Sequence, residues 1–247
     1  MGYEHGGNPV SPVSPLARLH SRKVEGPAEP ALLLFSGQTL GMRLRTAFAV
    51  AGFTALYFRF VRGPVLTWGA TPEEAAARLP GDELLEDADG VATRAIGIDA
   101  PASAVWPWIA QMGPAPRGGA YTYDWIENLL GLDMHSVDRV LPEFQHPEVG
   151  DTIGYGSNRM QVELVEPERV LAWRSEDGNW VWTFVLEERA GSTRLISRNR
   201  FRLPTLAARF GMLLLEPASL VMERRMLHSM KLRAEGLAGS SRSDPAA

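Results

Sequence analysis

The 247-residue chain contains no cysteine. That excludes disulfide cross-links, thiolate nucleophiles, iron–sulfur clusters and cysteine-based zinc sites, so the fold must stand on packing alone. Lysine is nearly missing too: Lys23 and Lys231 are the only two among 25 basic residues. A large charge of one sign is also lacking. The net charge is −4, and no nucleic-acid-binding motif appears, so nucleic acid is not expected as a partner. What is present is a 45% hydrophobic chain with seven tryptophans, enough for a real core. The small net charge hides an asymmetry. Residues 1–62 are net +4, residues 63–188 net −15, and residues 189–233 net +8.

Proline-rich residues 1–41 show little periodicity and are expected to form a disordered tail. Residues 42–63 are expected to form a hydrophobic helix. Thr46–Phe58 holds thirteen residues without a charge, with Arg43 and Arg45 before it and Arg59 and Arg62 after. As a helix, Thr46–Val61 would measure about 24 Å, against about 30 Å of hydrocarbon. Spanning would need local thinning of the bilayer, whereas an interfacial or docked helix would not. Read from Met42 as a start, the arginines and the apolar run resemble a signal segment without a cleavage site, which favours a retained anchor. Translation from Met1 or from Met42 remains open. The expectation is a membrane-associated chain, with a cytoplasmic protein and a docked helix as the alternative.

Residues 64–90 are expected to be a linker with one short helix, opened by the capping box Thr71-Pro72-Glu73-Glu74 and stopped by Leu79-Pro80-Gly81. A domain over 91–236 follows. Val91–Ile98 reads as a strand, Pro101–Met112 as a helix disturbed at Pro107, and Thr122–Leu130 as a second helix ended by Gly131. Thr152–Tyr155, Met160–Glu166, Val170–Ser175, Trp180–Glu188 and Thr193–Leu203 then form an antiparallel meander. Glu216–Gly236 is predicted as a long helix, and residues 237–247 as a second disordered tail. The class is α+β.

Certain phrases carry a resemblance: Ile98-Asp99-Ala100-Pro101 leading into Val105-Trp106-Pro107-Trp108-Ile109, Arg117-Gly118-Gly119-Ala120-Tyr121, Asp124 through Gly131, and Val165 through Leu171. Over about residues 66–236 the chain resembles the SRPBCC superfamily, the START-like or helix-grip domains that include polyketide cyclases and lipid-transfer proteins. It looks closest to actinobacterial-type members with a hydrophobic N-terminal segment. The resemblance implies a curved antiparallel sheet wrapped around a long C-terminal helix, with a cavity between them. It implies no particular activity.

On the strand at 180–186, Trp180, Trp182 and Phe184 share one face. Met222, Met226 and Met230 stripe one face of the last helix at four-residue spacing. With Trp106, Tyr121 and Tyr123 they make an expected lining for a small hydrophobic or lipid-like ligand, or else a filled core. His135 and Asp138, three apart, could act as a base and its orienting carboxylate, with Tyr121 as a further acid–base candidate. The enzymatic alternative is therefore a polyketide cyclase or dehydratase using His135 and the tyrosines. The spacing of Glu127, His135 and Asp138 fits no metal motif, and no cofactor or metal is expected. Arg194, Arg198, Arg200 and Arg202 share one strand face, read as solvated with cross-strand pairing to Glu187 and Glu188, or else as a holder of anionic headgroups.

Overall fold

The alternation after Gly90 and the β-branched and aromatic runs after Met160 produce six strands: β1 Gly90–Ile98, β2 Thr152–Ile153, β3 Met160–Glu166, β4 Val170–Ser175, β5 Trp180–Arg189 and β6 Ser192–Phe201. In this computed structural model, which describes residues 42, 45, 46, 48, 49, 52, 54–154, 156 and 159–243, they form one antiparallel curved sheet in the order β1-β6-β5-β4-β3-β2. The chain divides into two units at Ala51/Gly52. In the first, described residues from Met42 to Ala49 are helical. The expected tail over 1–41, and residues 43, 44, 47, 50, 51 and 53 of the expected anchor, lie outside the described residues.

In the second unit, a π-helical turn at Tyr57–Val61 leads into helix α1, Arg62–Leu66. Helix α2 is Pro72–Ala76, where the capping box forms as the sequence predicts: Glu74 N donates to Thr71 Oγ1 at 3.2 Å and Thr71 N to Glu74 Oε2 at 2.8 Å. Helices α3 (Ala102–Ala110) and α4 (Asp124–Leu129) follow β1, and α5 runs from Leu206 to Ser243. Among the described residues, no helix is long and apolar enough to cross a membrane.

Period-two geometry splits β5 into two faces. Phe184 and Leu186 enter a core with Trp106, Ile109, Trp173, Met226 and Met230, so this face looks toward α3 and α5. Val185 joins Leu79, Ala95, Val170 and Ile196 in a smaller cluster on the other face. The stretch expected to be a linker is therefore a packed layer. Leu79 and Leu85 are buried, and the chain comes close enough at Gly69 that a Cβ would lie 2.1 Å from the Ala95 carbonyl oxygen, with φ at +72°.

That layer overturns the solvated reading of the arginine row. Arg198 is buried, donates to Asp82 Oδ2 at 2.7 Å and to Thr93 Oγ1, and caps the carbonyls of Glu74, Ala75 and Ala77. Arg194 holds Glu74 and the Gly69 carbonyl, and Arg200 the Leu85 and Glu86 carbonyls. The row clamps residues 69–87 to the sheet, because that segment offers free helix-end and turn carbonyls which only a multi-donor side chain can satisfy together.

The last helix is longer than the sequence suggests at both ends. It passes through Gly211 and Pro217, and it continues across residues 237–243 of the expected tail. Pro217 removes one backbone hydrogen bond. The neighbouring turn is held instead from outside: Arg62 forms a fork on Glu216, with Nη2 to Oε1 at 2.7 Å, and the Tyr57 hydroxyl donates to Oε2 at 3.1 Å.

Candidate functional site: an aromatic ladder ending on a buried carboxylate

On the α5 side of the sheet, four rings step from solvent to core. Trp180 is 39% exposed, Trp182 is half-buried, and Phe184 and Trp173 are buried. Trp180 stacks on Trp182 with centroids 5.9 Å apart, Trp182 meets Phe184 at 5.0 Å, and Trp173 contacts Phe184 edge-on at 5.7 Å. Cross-strand register sets these contacts: Trp182 pairs with Trp173 on β4 and Asn199 on β6, and Phe184 with Ser197.

The indole N–H groups of Trp180 and Trp182 find polar partners on β6. Trp180 Nε1 donates to Asn199 Oδ1 and Trp182 Nε1 to Ser197 Oγ, both at 2.9 Å. The Asn199 amide donates onward to Glu223 of α5 at 3.3 Å. Glu223, 7% exposed, forms an ion pair with the fully buried Arg94 of β1. Arg94 also donates to Ser219 Oγ at 3.0 Å and to the Val65 carbonyl, tying α1 to the same cluster. Burial pushes the Glu223 carboxyl up from its ordinary range, and the Arg94 charge is the main influence pulling it back down. The arrangement offers a flat aromatic wall and, behind it, a charged pair whose dipole and hydrogen bonds can orient a polar group.

The other sequence candidates fall in different places. Met226 and Met230 lie in the core with Trp106, while Met222 is half-buried. Tyr121 is buried; its hydroxyl accepts from Gln111 Nε2 at 2.9 Å, and the Arg233 guanidinium lies over its ring at 4.8 Å. Burial pushes this phenol up to about 12, so it holds its proton throughout the neutral range. Tyr123 is partly exposed under Arg225. His135 and Asp138 do not share a helical face, because residues 132–140 are irregular. His135 faces solvent and meets Asp133 at 3.0 Å, while Asp138 pairs with Arg233. The base-and-orienter pair is therefore not assembled. Among the described residues, no three His, Asp or Glu side chains cluster to hold a metal.

Sequence reasoning missed Arg94, Ser197, Asn199, Ser219 and Glu223. Two of them left a signal. Arg94 interrupts the inward alternation Ala92, Ile96, Ile98, and Glu223 sits beside Met222 on the otherwise apolar stripe of α5.

Two open cavities lie elsewhere on the domain. One of about 440 Å³ lies at the β3–β4 end, lined by Arg159, Gln161, Arg174 and Asp177 among others, and one of about 330 Å³ lies between Trp108, Arg139 and the 232–240 stretch of α5. Neither is lined by Trp180, Trp182 or Glu223.

No family model and no curated protein matches the chain. Solved structures do. A polyketide-cyclase-like protein from Corynebacterium glutamicum is 17% identical, with 62% of this chain and 92% of its own covered and a TM-score of 0.32. The KanY protein is 14% identical, with 60% and 98% covered and a TM-score of 0.41. CalU16 from Micromonospora echinospora is 15% identical, with 60% and 86% covered and a TM-score of 0.28. The chain's own architecture, a six-stranded antiparallel curved sheet with two helices after β1 and one long C-terminal helix packed on it, is that of a helix-grip domain.

Proposed function

We propose that the chain binds a small hydrophobic or lipid-like molecule carrying a ring and one polar group, laid against Trp180 and Trp182 beside α5, with Asn199 and the Glu223–Arg94 pair as its polar anchor. One observation carries this reading: the indole stack is open to solvent at Trp180 and ends inward on a hydrogen-bonded carboxylate. A core built for stability alone would gain little from this arrangement. Replacing a buried ion pair by apolar residues of similar volume is commonly neutral or stabilising, so such a pair is weak evidence of a structural purpose. The stacked indoles add a planar surface that favours ring-bearing partners.

The test uses 2-naphthol, a bicyclic ring with one hydroxyl, and follows tryptophan emission. Saturable quenching is expected, weakened at least about tenfold in Trp182→Ala, which removes one full ring contact. Trp125→Ala, a substitution at an exposed ring on α4, leaves the affinity unchanged. Equal affinity in the wild type and Trp182→Ala would remove the proposed site.

A further inference from the structure

We propose that the helix pair formed by residues 54–66 and the first four turns of α5 seats the protein on an anionic lipid surface. The exterior of this pair is apolar. Leu56 and Phe60, four apart and so on one side of their helix, are 58% and 62% exposed, and Phe210 and Leu214, likewise four apart, are 71% and 80% exposed on the other. Soluble monomers rarely leave large apolar side chains exposed in such a group.

Charge identifies the occupant. Residues 54–66 contain Arg59 and Arg62 and no acid. Residues 206–222 contain one acid, Glu216, which is 2% exposed and consumed by the Arg62 fork and the Tyr57 hydroxyl. The pair itself therefore presents phenylalanine, leucine and arginine with no exposed carboxylate of its own, and the neighbouring exposed Asp89 is held by Arg209 at 3.2 Å. Arg59 is exposed and lies over the Phe60 ring at 5.1 Å, a pairing of cation and ring suited to the level of lipid headgroups. A second copy of the same face would bring arginine against arginine, and most protein partners would leave these phenylalanines without a hydrocarbon medium. The Glu216 clamp gives the pair its shape: it joins the two helices through a half-buried contact, so both enter the interface together. The proposed mode is that of an amphipathic pair lying on the bilayer.

The experiment is sedimentation of the full chain with phosphatidylcholine vesicles, with and without about 30 mol% phosphatidylglycerol. Partitioning onto the anionic vesicles is expected to exceed that onto the neutral ones at least about tenfold and to weaken in about 1 M salt. Leu56→Ser/Phe60→Ser and Phe210→Ser/Leu214→Ser should each reduce it about tenfold or more, since two interfacial apolar side chains are worth over one factor of ten. Arg59→Glu should reduce it at least about threefold. Unaltered melting temperatures confirm that these exposed substitutions leave the fold intact. Absence of binding, binding indifferent to lipid charge or to both double variants, or a dimer that the same variants dissociate would overturn the proposal.

Discussion

Replacing Arg94 by leucine strands the Glu223 carboxylate in the interior, and the structure sets the size of that effect. Both partners are almost fully buried and the contact is direct. Breaking such a pair from one side costs about 3–5 kcal/mol. At about 2–4 °C per kcal/mol for a domain of this size, the melting temperature should fall by about 6–20 °C. The loss should also depend on pH. The Glu223 carboxyl is already raised in the folded chain, so the fold binds its proton more tightly than the unfolded chain does. Its contribution is thus most favourable below the ordinary carboxylate value and is lost as pH rises through the folded value. Removing Arg94 takes away the chief opposing influence, so the gap between variant and wild type in urea unfolding should widen as pH rises above the ordinary carboxylate range. The double variant Arg94→Leu/Glu223→Leu should recover most of the loss. A residue of about 1–2 kcal/mol remains, because the Val65 carbonyl and the Asn199 amide lose their partners. A double variant as unstable as the sum of the two singles would refute the coupling and with it the hub role of Glu223.

Three further outcomes follow from the same structure. Arg198→Met should cost about 3–5 kcal/mol and accelerate amide exchange across residues 72–85, because one side chain satisfies Asp82 and three carbonyls there. Gly69→Ala should destabilise by about 2 kcal/mol or more in denaturant unfolding, whereas Gly97→Ala, whose Cβ would meet nothing within 4 Å, should stay within about 0.5 kcal/mol of wild type. In an alkaline absorbance titration, one of the five tyrosines should ionise near pH 12, and Tyr121→Phe should remove that step. The raised phenol favours the folded chain below its ordinary value, and that stability is lost as pH climbs through the folded one.

Much of the sheet is legible in the sequence because alternation is a strong local signal: Trp180-Val181-Trp182 assigns its two faces without further information. What local pattern does not contain is which layer covers each face. The arginines of β6 share one face with Ile196 and read as solvent-exposed, and only the return of residues 69–87 across the sheet converts them into a clamp. Helix α5 shows the same limit from the other side. Gly211 and Pro217 are ordinary stop signals, overridden by Glu216 binding two residues more than 150 positions earlier in the chain. The aromatic wall was visible as residue types, since period two aligns Trp180, Trp182 and Phe184. Its polar end was not, because Arg94 and Glu223 lie 129 positions apart and become a pair only when α5 packs on β1. His135 and Asp138 mislead for the opposite reason: closeness in sequence means little where the intervening chain is irregular.

The central claim, a ligand site bounded by Trp180 and Trp182, is tested most directly by the indole N–H resonances of the seven tryptophans during titration with 2-naphthol. The account predicts that the Trp180 and Trp182 signals move together and saturate, with Asn199 and Ser197 responding through their hydrogen bonds and the exposed Trp125 unaffected. Saturable shifts confined to Trp125, or no saturable shift at Trp180 and Trp182, would contradict it.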